Sequence, residues 1–379
     1  MPEPRAPSRC DIAVVGAGAA GLMAAIQAAR SAPKLDVVAL DGQTRLGKKI
    51  LIAGGGRCNV TNEVVTERDF AGSTAPAIRR VLAHFGVSDI RQLLEEQGVV
   101  LKREPHGKLF PTTNRARDVL EALLRTADEA GVRLVHPFRI ESIRVHEAGF
   151  ELQGPEGTLT ARRVIIATGG RSVPATGSDG HGLQMVCALG HTTTALVLPA
   201  LVPLLLPEGH PLTQLRGIAT DASLYLRDAR GRLRQQVDGS LLLTHFGLSG
   251  PAALDMSRHW LHAHAADPGV KLEIDWLPEI PEDGRDAWFL SVGGDTLLAR
   301  LGELLPARLA RALLVDAGVD LERTGAQLRR EDRRRLAQRL WQMEVPISGE
   351  RGWQYAEVTA GGVPVSYTHL TLPTKESGG

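Results

Sequence analysis

The 379 residues carry 44 basic and 43 acidic side chains, a net charge of +1, with 43% hydrophobic and 4% aromatic content. That balance makes no global field to attract nucleic acid or an anionic membrane, and so few aromatics argue against a base-stacking surface. The hydrophobic share supports sizeable cores and excludes wholesale disorder.

At about 150 residues per domain the length suggests two to three domains. Cys10, Cys58 and Cys187 form no C-x-x-C pair, so neither a disulfide framework nor a dithiol centre is encoded, and a cytoplasmic setting is expected. No uncharged apolar run reaches the roughly 18 residues of a membrane span.

In chain order, residues 11–15 read as a buried parallel strand running into GAGAAG and a helix over 20–32, which Pro33 ends. LDVVAL supplies the next strand, completing a β-turn-α-turn-β unit. A patterned glycine loop follows over 42–62, then helices over about 74–84, 88–97 and 114–130, the last with Asn114 as N-cap and Gly131 as its stop. From Val132 the period turns to two, predicting a hairpin meander that ends in RVIIATGG. Beyond about residue 195 the chain becomes apolar and proline-punctuated. Strands are expected at 221–227, 233–237 and 240–244, a helix at 251–265, a strand at 270–275 and helices between 294 and 342. The expected organisation is an α/β Rossmann-like domain, with a parallel sheet and a β-meander, over 1–195 plus 351–365. Residues 196–350 form an inserted α+β domain.

Gly16, Gly18 and Gly21 form G-x-G-x-x-G between a strand and a helix. The first glycine makes the tight turn, the second admits a pyrophosphate, and the third lets helix and strand pack closely. Ala19 and Ala20 then lie in the helix N-terminus, whose unpaired N–H groups favour phosphate. Asp41 follows about twenty residues on, placed to accept from ribose hydroxyls. A plain NAD domain would continue with alternating helices and strands. Here RLGKK (Gly47, Lys48, Lys49) and a glycine loop follow instead. Much later Thr168, Gly169 and Gly170 recross the dinucleotide with bare backbone, an order typical of two-dinucleotide flavoproteins. FAD is the expected cofactor, and no metal-ligand spacing appears.

GGGRCNVTN (Gly54 to Asn62), ATGGRSVPATGSDGHG (Ala167 to Gly182), LTHFGLSGPAAL (Leu243 to Leu254) and VTAGGVP (Val358 to Pro364) together resemble the BaiN-type NAD(P)/FAD-dependent oxidoreductases, a family that includes bile-acid reductases and aminoacetone oxidases. The resemblance runs from about residue 10 to 365 and implies a Rossmann-like FAD domain with an insert. It implies that Gly54, Gly55 and Gly56 approach the flavin and that Arg57 supplies positive charge for its reduced, anionic form. Asn59 and Asn62 would supply hydrogen bonds. Cys58 is either a redox-active thiol or a packing group. His245, on a segment implied to face the flavin cleft, is either a proton donor or a structural histidine. Ser249 and Pro251 read as the start of the following helix, and Asp179 as an Asx-turn residue or a loop residue near the cofactor.

The family pattern would continue past VTAGGVPV toward a strand and a final helix, whereas Ser366 to Gly379 resembles adapter read-through; a foreign tail in place of the natural C-terminus is the expectation. The functional expectation is a reductase taking hydride from NADH or NADPH onto FAD and passing it to a small or medium organic acceptor. The alternatives are a flavin-dependent RNA-modifying enzyme and a non-catalytic FAD-binding redox sensor. The arginine-rich stretch 329–341 reads as an amphipathic helix with a solvated basic face rather than a nucleic-acid site.

Overall fold

The computed structural model describes residues 8–70, 74–147 and 149–364, except the side chain of His106. The expected foreign tail lies outside these residues. The described chain divides into two compact units, one of residues 8–170 with 174–192, the other of 171–173 with 193–364.

In the first unit the elements run β1 (Arg9–Val15), α1 (Ala19–Ser31), β2 (Val37–Leu40), α2 (Lys48–Gly56), β3 (Thr61–Asn62), α3 (Ala75–His84), α4 (Val87–Glu96), β4 (Leu101–Arg103), β5 (Lys108–Pro111), α5 (Ala116–Glu129), β6 (Arg133–Val135), β7 (Ser142–His146), β8 (Gly149–Gly154), β9 (Gly157–Ile166) and α6 (His181–Ala188). A six-stranded sheet has the order β6-β2-β1-β9-β8-β7. Its four strands β6, β2, β1 and β9 are parallel, and β9, β8 and β7 form the expected antiparallel meander. Strand alternation divides the apolar residues between two buried clusters. Val14 packs with Leu22 and Ile26 of α1 and Leu123 of α5, while Ala13 and Val15 pack with Leu152, Leu159 and Met185. Each such fully buried aliphatic side chain contributes about 1.5–3 kcal/mol. A separate three-stranded sheet, β3-β5-β4, stands after the glycine-rich segment.

Two local expectations change. The segment 42–62 contains the helix α2 as well as loop. Arg115, not Asn114, is the N-cap of α5; Asn114 lies one residue earlier with φ +54°, a left-handed conformation that asparagine tolerates.

The second unit contains β10 (Leu198–Ala200), β11 (Leu204–Leu205), β12 (Ala219–Arg227), β13 (Leu233–Leu243), β14 (Gly247–Ser249), α7 (Gly250–Ala266), β15 (Lys271–Asp275), α8 (Arg285–Ser291), α9 (Leu297–Gly302), α10 (Ala307–Asp316), α11 (Arg330–Trp341), β16 (Met343–Val345), β17 (Gly349–Glu350) and β18 (Val358–Ala360). Seven strands form one sheet in the order β16-β15-β12-β13-β14-β11-β17, and every pairing in it is antiparallel. The two strands expected at 233–237 and 240–244 are one, β13, because Gly239 at φ +151° stays extended and keeps its register opposite Ala222. Ser249 occupies the N-cap position of α7, without a side-chain cap bond, and Pro251 lies in its first turn. Strand β18 pairs with β10, so 351–364 lies in the same compact unit as 193–350. The expected boundary had placed it with the first domain. The arginine-rich helix α11 buries Leu336, Leu340 and Trp341.

Candidate functional site

The turn from β1 to α1 is shaped by the absence of side chains. At Gly16, with φ +100°, a Cβ would stand 2.5 Å from the carbonyl oxygen of Ala167, just beyond β9. At Gly21 a Cβ would come within 1.7 Å of the Gly16 carbonyl oxygen, so α1 lies directly on the first glycine. Gly18 differs: nothing stands within 4 Å of its hypothetical Cβ, and as N-cap of α1 it provides no side-chain cap. Its open side belongs to a cavity of about 490 Å³ that Ala19 and Ala20 also line. The volume falls in the range of ligand sites, about 300–1,000 Å³.

Polar groups gather along this cavity. Asp41, which follows β2, accepts from Ala17 N at 2.8 Å through Oδ2 and from Gln43 N at 2.8 Å through Oδ1. Each carboxylate oxygen has a second acceptor position, so the residue ties the turn together and keeps capacity for a hydroxyl. Lys48 Nζ donates to Gln43 Oε1 at 2.6 Å, and Lys49 Nζ donates to Ser178 Oγ at 2.9 Å. Burial pulls the Lys49 ammonium below the usual lysine range. Arg139 binds Asp179 at 2.7 Å, and Asp179 also accepts from His181 N at 3.0 Å, an Asx-turn. Burial works to raise the Asp179 carboxyl, but the Arg139 bond and the His181 N–H outweigh it and hold it below the ordinary range. The apolar side chains of the wall include Met23, Ile50, Leu94, Val119 and Leu123 from four helices.

After the first turn of α2 the backbone leaves helical geometry. Ala53 is extended and Gly54, Gly55 and Gly56 take φ of +56°, +70° and +86°. A Cβ on Gly54 would strike the Phe110 ring at 2.8 Å. Cys58 follows at φ +62°, buried in the cavity wall beside Asn59. Burial raises its thiol to about 11, which favours the protonated form at neutral pH.

Of the residues singled out in the sequence, Gly16, Gly18, Ala19, Ala20, Asp41, Gly47, Lys48, Lys49, Cys58, Asn59, Thr168, Gly169 and Asp179 come together around the cavity. Gly21, Gly54, Gly55, Gly56, Arg57, Asn62 and Gly170 lie outside its lining. The Arg57 guanidinium is bound to Glu104, and Asn62 Oδ1 packs against Gly107. His245 belongs to the second unit, in the turn between β13 and β14, exposed and edge-on to Phe246 at 5.0 Å. Sequence reasoning missed Gln43, Phe138, Arg139, Ser178 and the apolar helical set. Only Ser178 carried a local signal, its place in GSDGHG.

A dinucleotide fits this cradle: open backbone at an uncapped helix start, an acid beyond the second strand, and lysine and arginine side chains in the wall to meet phosphate charge. The model of the HI0933-like protein Rossmann domain matches residues 10–375. The chain belongs to this family of FAD-dependent oxidoreductases. It is 30% identical to a 3-dehydro-bile acid delta(4,6)-reductase of Clostridium scindens, across 93% of this chain and 86% of that one. It is 31% identical to a ribosomal RNA dihydrouridine synthase of Haemophilus influenzae, across 92% and 85%. Against the ribosomal RNA dihydrouridine synthase of Escherichia coli the identity is 30%, across 94% and 86%. Among the described residues no helix is long and apolar enough to cross a membrane, and no cluster of three or more metal-binding side chains occurs.

Proposed function

We propose that the protein is an NAD(P)H-linked, FAD-dependent reductase that adds hydrogen across a conjugated carbon–carbon double bond of a small organic acceptor. The observation that carries this reading is the cavity whose wall joins the Gly16–Gly18 turn, Asp41, both lysines and the Thr168–Gly169 backbone. The relatives' names support the reaction type, because a delta(4,6)-reductase and a dihydrouridine synthase are both named for hydrogen added to an unsaturated substrate. Bound FAD would supply the two-electron carrier.

The chain's own residues bind and orient. Gly18, Ala19 and Ala20 would present N–H groups to the phosphates, Asp41 would accept from a ribose hydroxyl, and Lys48 and Lys49 would offset phosphate charge. The acceptor gains one hydride and one proton, and NAD(P)H is oxidised. His245 is the proposed proton donor. His245→Gln is expected to lower turnover while removing a group from the pH–rate profile; an unchanged profile rejects the role.

The direct test is anaerobic. The purified chain should show a flavin spectrum, bleach with NADH or NADPH, and recover its colour on adding a 3-oxo-4,6-diene steroid. A flavin that neither nucleotide reduces would favour the redox-sensor alternative. One feature favours RNA as a second acceptor class. In the second unit the Arg351 guanidinium lies between the rings of Phe246 at 4.1 Å and Tyr355 at 3.6 Å, and Arg171 lies over Trp353 at 4.7 Å. Tyr355 and Arg171 are exposed and the other three half-buried, and an exposed ring or guanidinium plane can stack a base. Salt-sensitive binding of unmodified ribosomal RNA, with recovery of flavin colour, would select that reading over the small acceptor.

A further inference from the structure

We propose that Arg57 and Glu104 form a latch that positions the cavity wall, and that Arg57 acts through this latch rather than as a charge directed at the cofactor. The segment Ala53 to Cys58 has backbone that few residues hold unaided: an extended alanine, three glycines in the left-handed region, and a cysteine at φ +62°. Such a run needs its two ends fixed. Cys58 N donates to Ala53 O at 2.9 Å, which closes the run on itself, and two residues further on Val60 N donates to Leu109 O at 2.9 Å, which joins the wall to β5.

Between these anchors Arg57 reaches away from the cavity. Its Nη1 donates to Glu104 Oε1 at 2.8 Å and Oε2 at 3.1 Å, and its guanidinium lies over the Phe110 ring, 4.2 Å from the centroid. Glu104 follows β4 and Phe110 sits on β5, adjacent strands of the three-stranded sheet. Phe110 also fills the space that a side chain on Gly54 would need. One guanidinium therefore ties the glycine run to both strands, and Cys58 and Asn59, the next two residues, line the cavity. A lysine cannot replace it, because the contact uses a planar group that stacks while it donates.

A charge directed at the flavin and a latch predict different signs. If Arg57 acted as a charge, Arg57→Ala would lower the flavin midpoint potential and Glu104→Ala, by freeing the positive charge, would raise it. As a latch, both substitutions release the same segment, so both move the potential in the same direction and both weaken FAD binding by about tenfold, the scale of one lost positioning contact.

A second readout follows Cys58 without using the cofactor. Of the three free cysteines only Cys187 is exposed, so one thiol should react with a disulfide reagent in the native protein, and two should react once the latch is opened. Gly18→Ala, which alters the cavity far from the latch in sequence, should keep the count at one. Arg57→Lys, which keeps the charge but not the planar group over Phe110, should leave the count at two.

Opposite shifts of potential in the two alanine variants, a single reactive thiol in Glu104→Ala, or a second reactive thiol in Gly18→Ala would each overturn the latch. Should Glu104→Ala fail to fold by circular dichroism, Phe110→Leu, which removes the ring beneath the guanidinium, takes its place for the thiol count, with two reactive thiols expected and a single one overturning the latch. The latch rests on the proposed FAD site only for the potential and the affinity. A wild-type chain that binds no FAD would reject the cofactor reading, while the thiol count would still decide the latch.

Discussion

The glycine turn of the first unit and the arginine–aromatic pairs of the second bring groups together by opposite means. In the first, the closest approaches are backbone to backbone: Gly21 against the Gly16 carbonyl and Gly16 against Ala167, with the cavity opening where Gly18 has no neighbour. In the second, they are side chain to side chain: Arg351 between Phe246 and Tyr355, Arg285 over Trp341 at 5.2 Å, Arg333 over Phe289 at 5.8 Å, and Asp275 buried in the sheet. A site made by leaving side chains out needs only a spacing of glycines along one turn. A site made by pairing side chains also draws on residues far apart in the chain, such as Arg351 and Phe246.

The comparison breaks most visibly at Gly21. A methyl group there meets a carbonyl oxygen at 1.7 Å that cannot move without displacing β1 from α1. Gly21→Ala is expected to cost more than about 3 kcal/mol, read by urea unfolding of the apoprotein, with FAD lost on gel filtration. A variant as stable as wild type would show that the turn has more room than this packing allows.

Next in size is the buried acid of the second unit. Burial pushes the Asp275 carboxyl from its ordinary 3.8 up to about 6, and the nearby Arg285 guanidinium, at 3.3 Å, does not reverse this. The folded state therefore holds this proton more tightly than the unfolded chain. The resulting stabilisation is full below pH 4 and is lost as the pH rises through about 6, up to about 3 kcal/mol in all. Unfolding titrations at several pH values should show that loss in wild type. The Asp275→Asn variant should flatten it, and an unchanged slope would remove Asp275 as its source.

Gly18 sharpens the contrast with Gly21. Gly18→Ala meets open space, so the fold should change by less than about 0.5 kcal/mol, whereas FAD affinity should fall by about tenfold if the backbone there approaches the pyrophosphate. Equal affinity by fluorescence titration would place the phosphates elsewhere. The smallest effect is expected across β15 and β16. Lys271 and Glu344 meet at 2.9 Å with side chains 49% and 52% exposed, and a double-mutant cycle should give a coupling below about 0.5 kcal/mol that salt abolishes.

Much of the first unit was legible in order. The strand, glycine turn, helix and second strand at 9–40 follow from one apolar run, three glycines and a proline. The meander follows from a period of two ending in Ile166, and thirteen of the residues singled out in the sequence share one cavity. The glycine segment at 54–56 was legible as unusual but not in its partners. Nothing near Arg57 announces Glu104, which lies 47 residues away. In the second unit the two short strands expected at 233–244 became one, because a glycine can continue an extended strand as readily as break it.

The sequence by itself determined the nucleotide-binding fold and the glycine cradle, because both depend on local rules: side-chain alternation, tight-turn geometry and the room a missing Cβ leaves. Tertiary structure alone decided that Arg57 turns toward Glu104 and Phe110, that β18 joins β10, and that Cys58 favours its protonated form. The direction of a long side chain, the partner of a strand edge and the dielectric around a thiol are set by residues distant along the chain, which local rules do not reach.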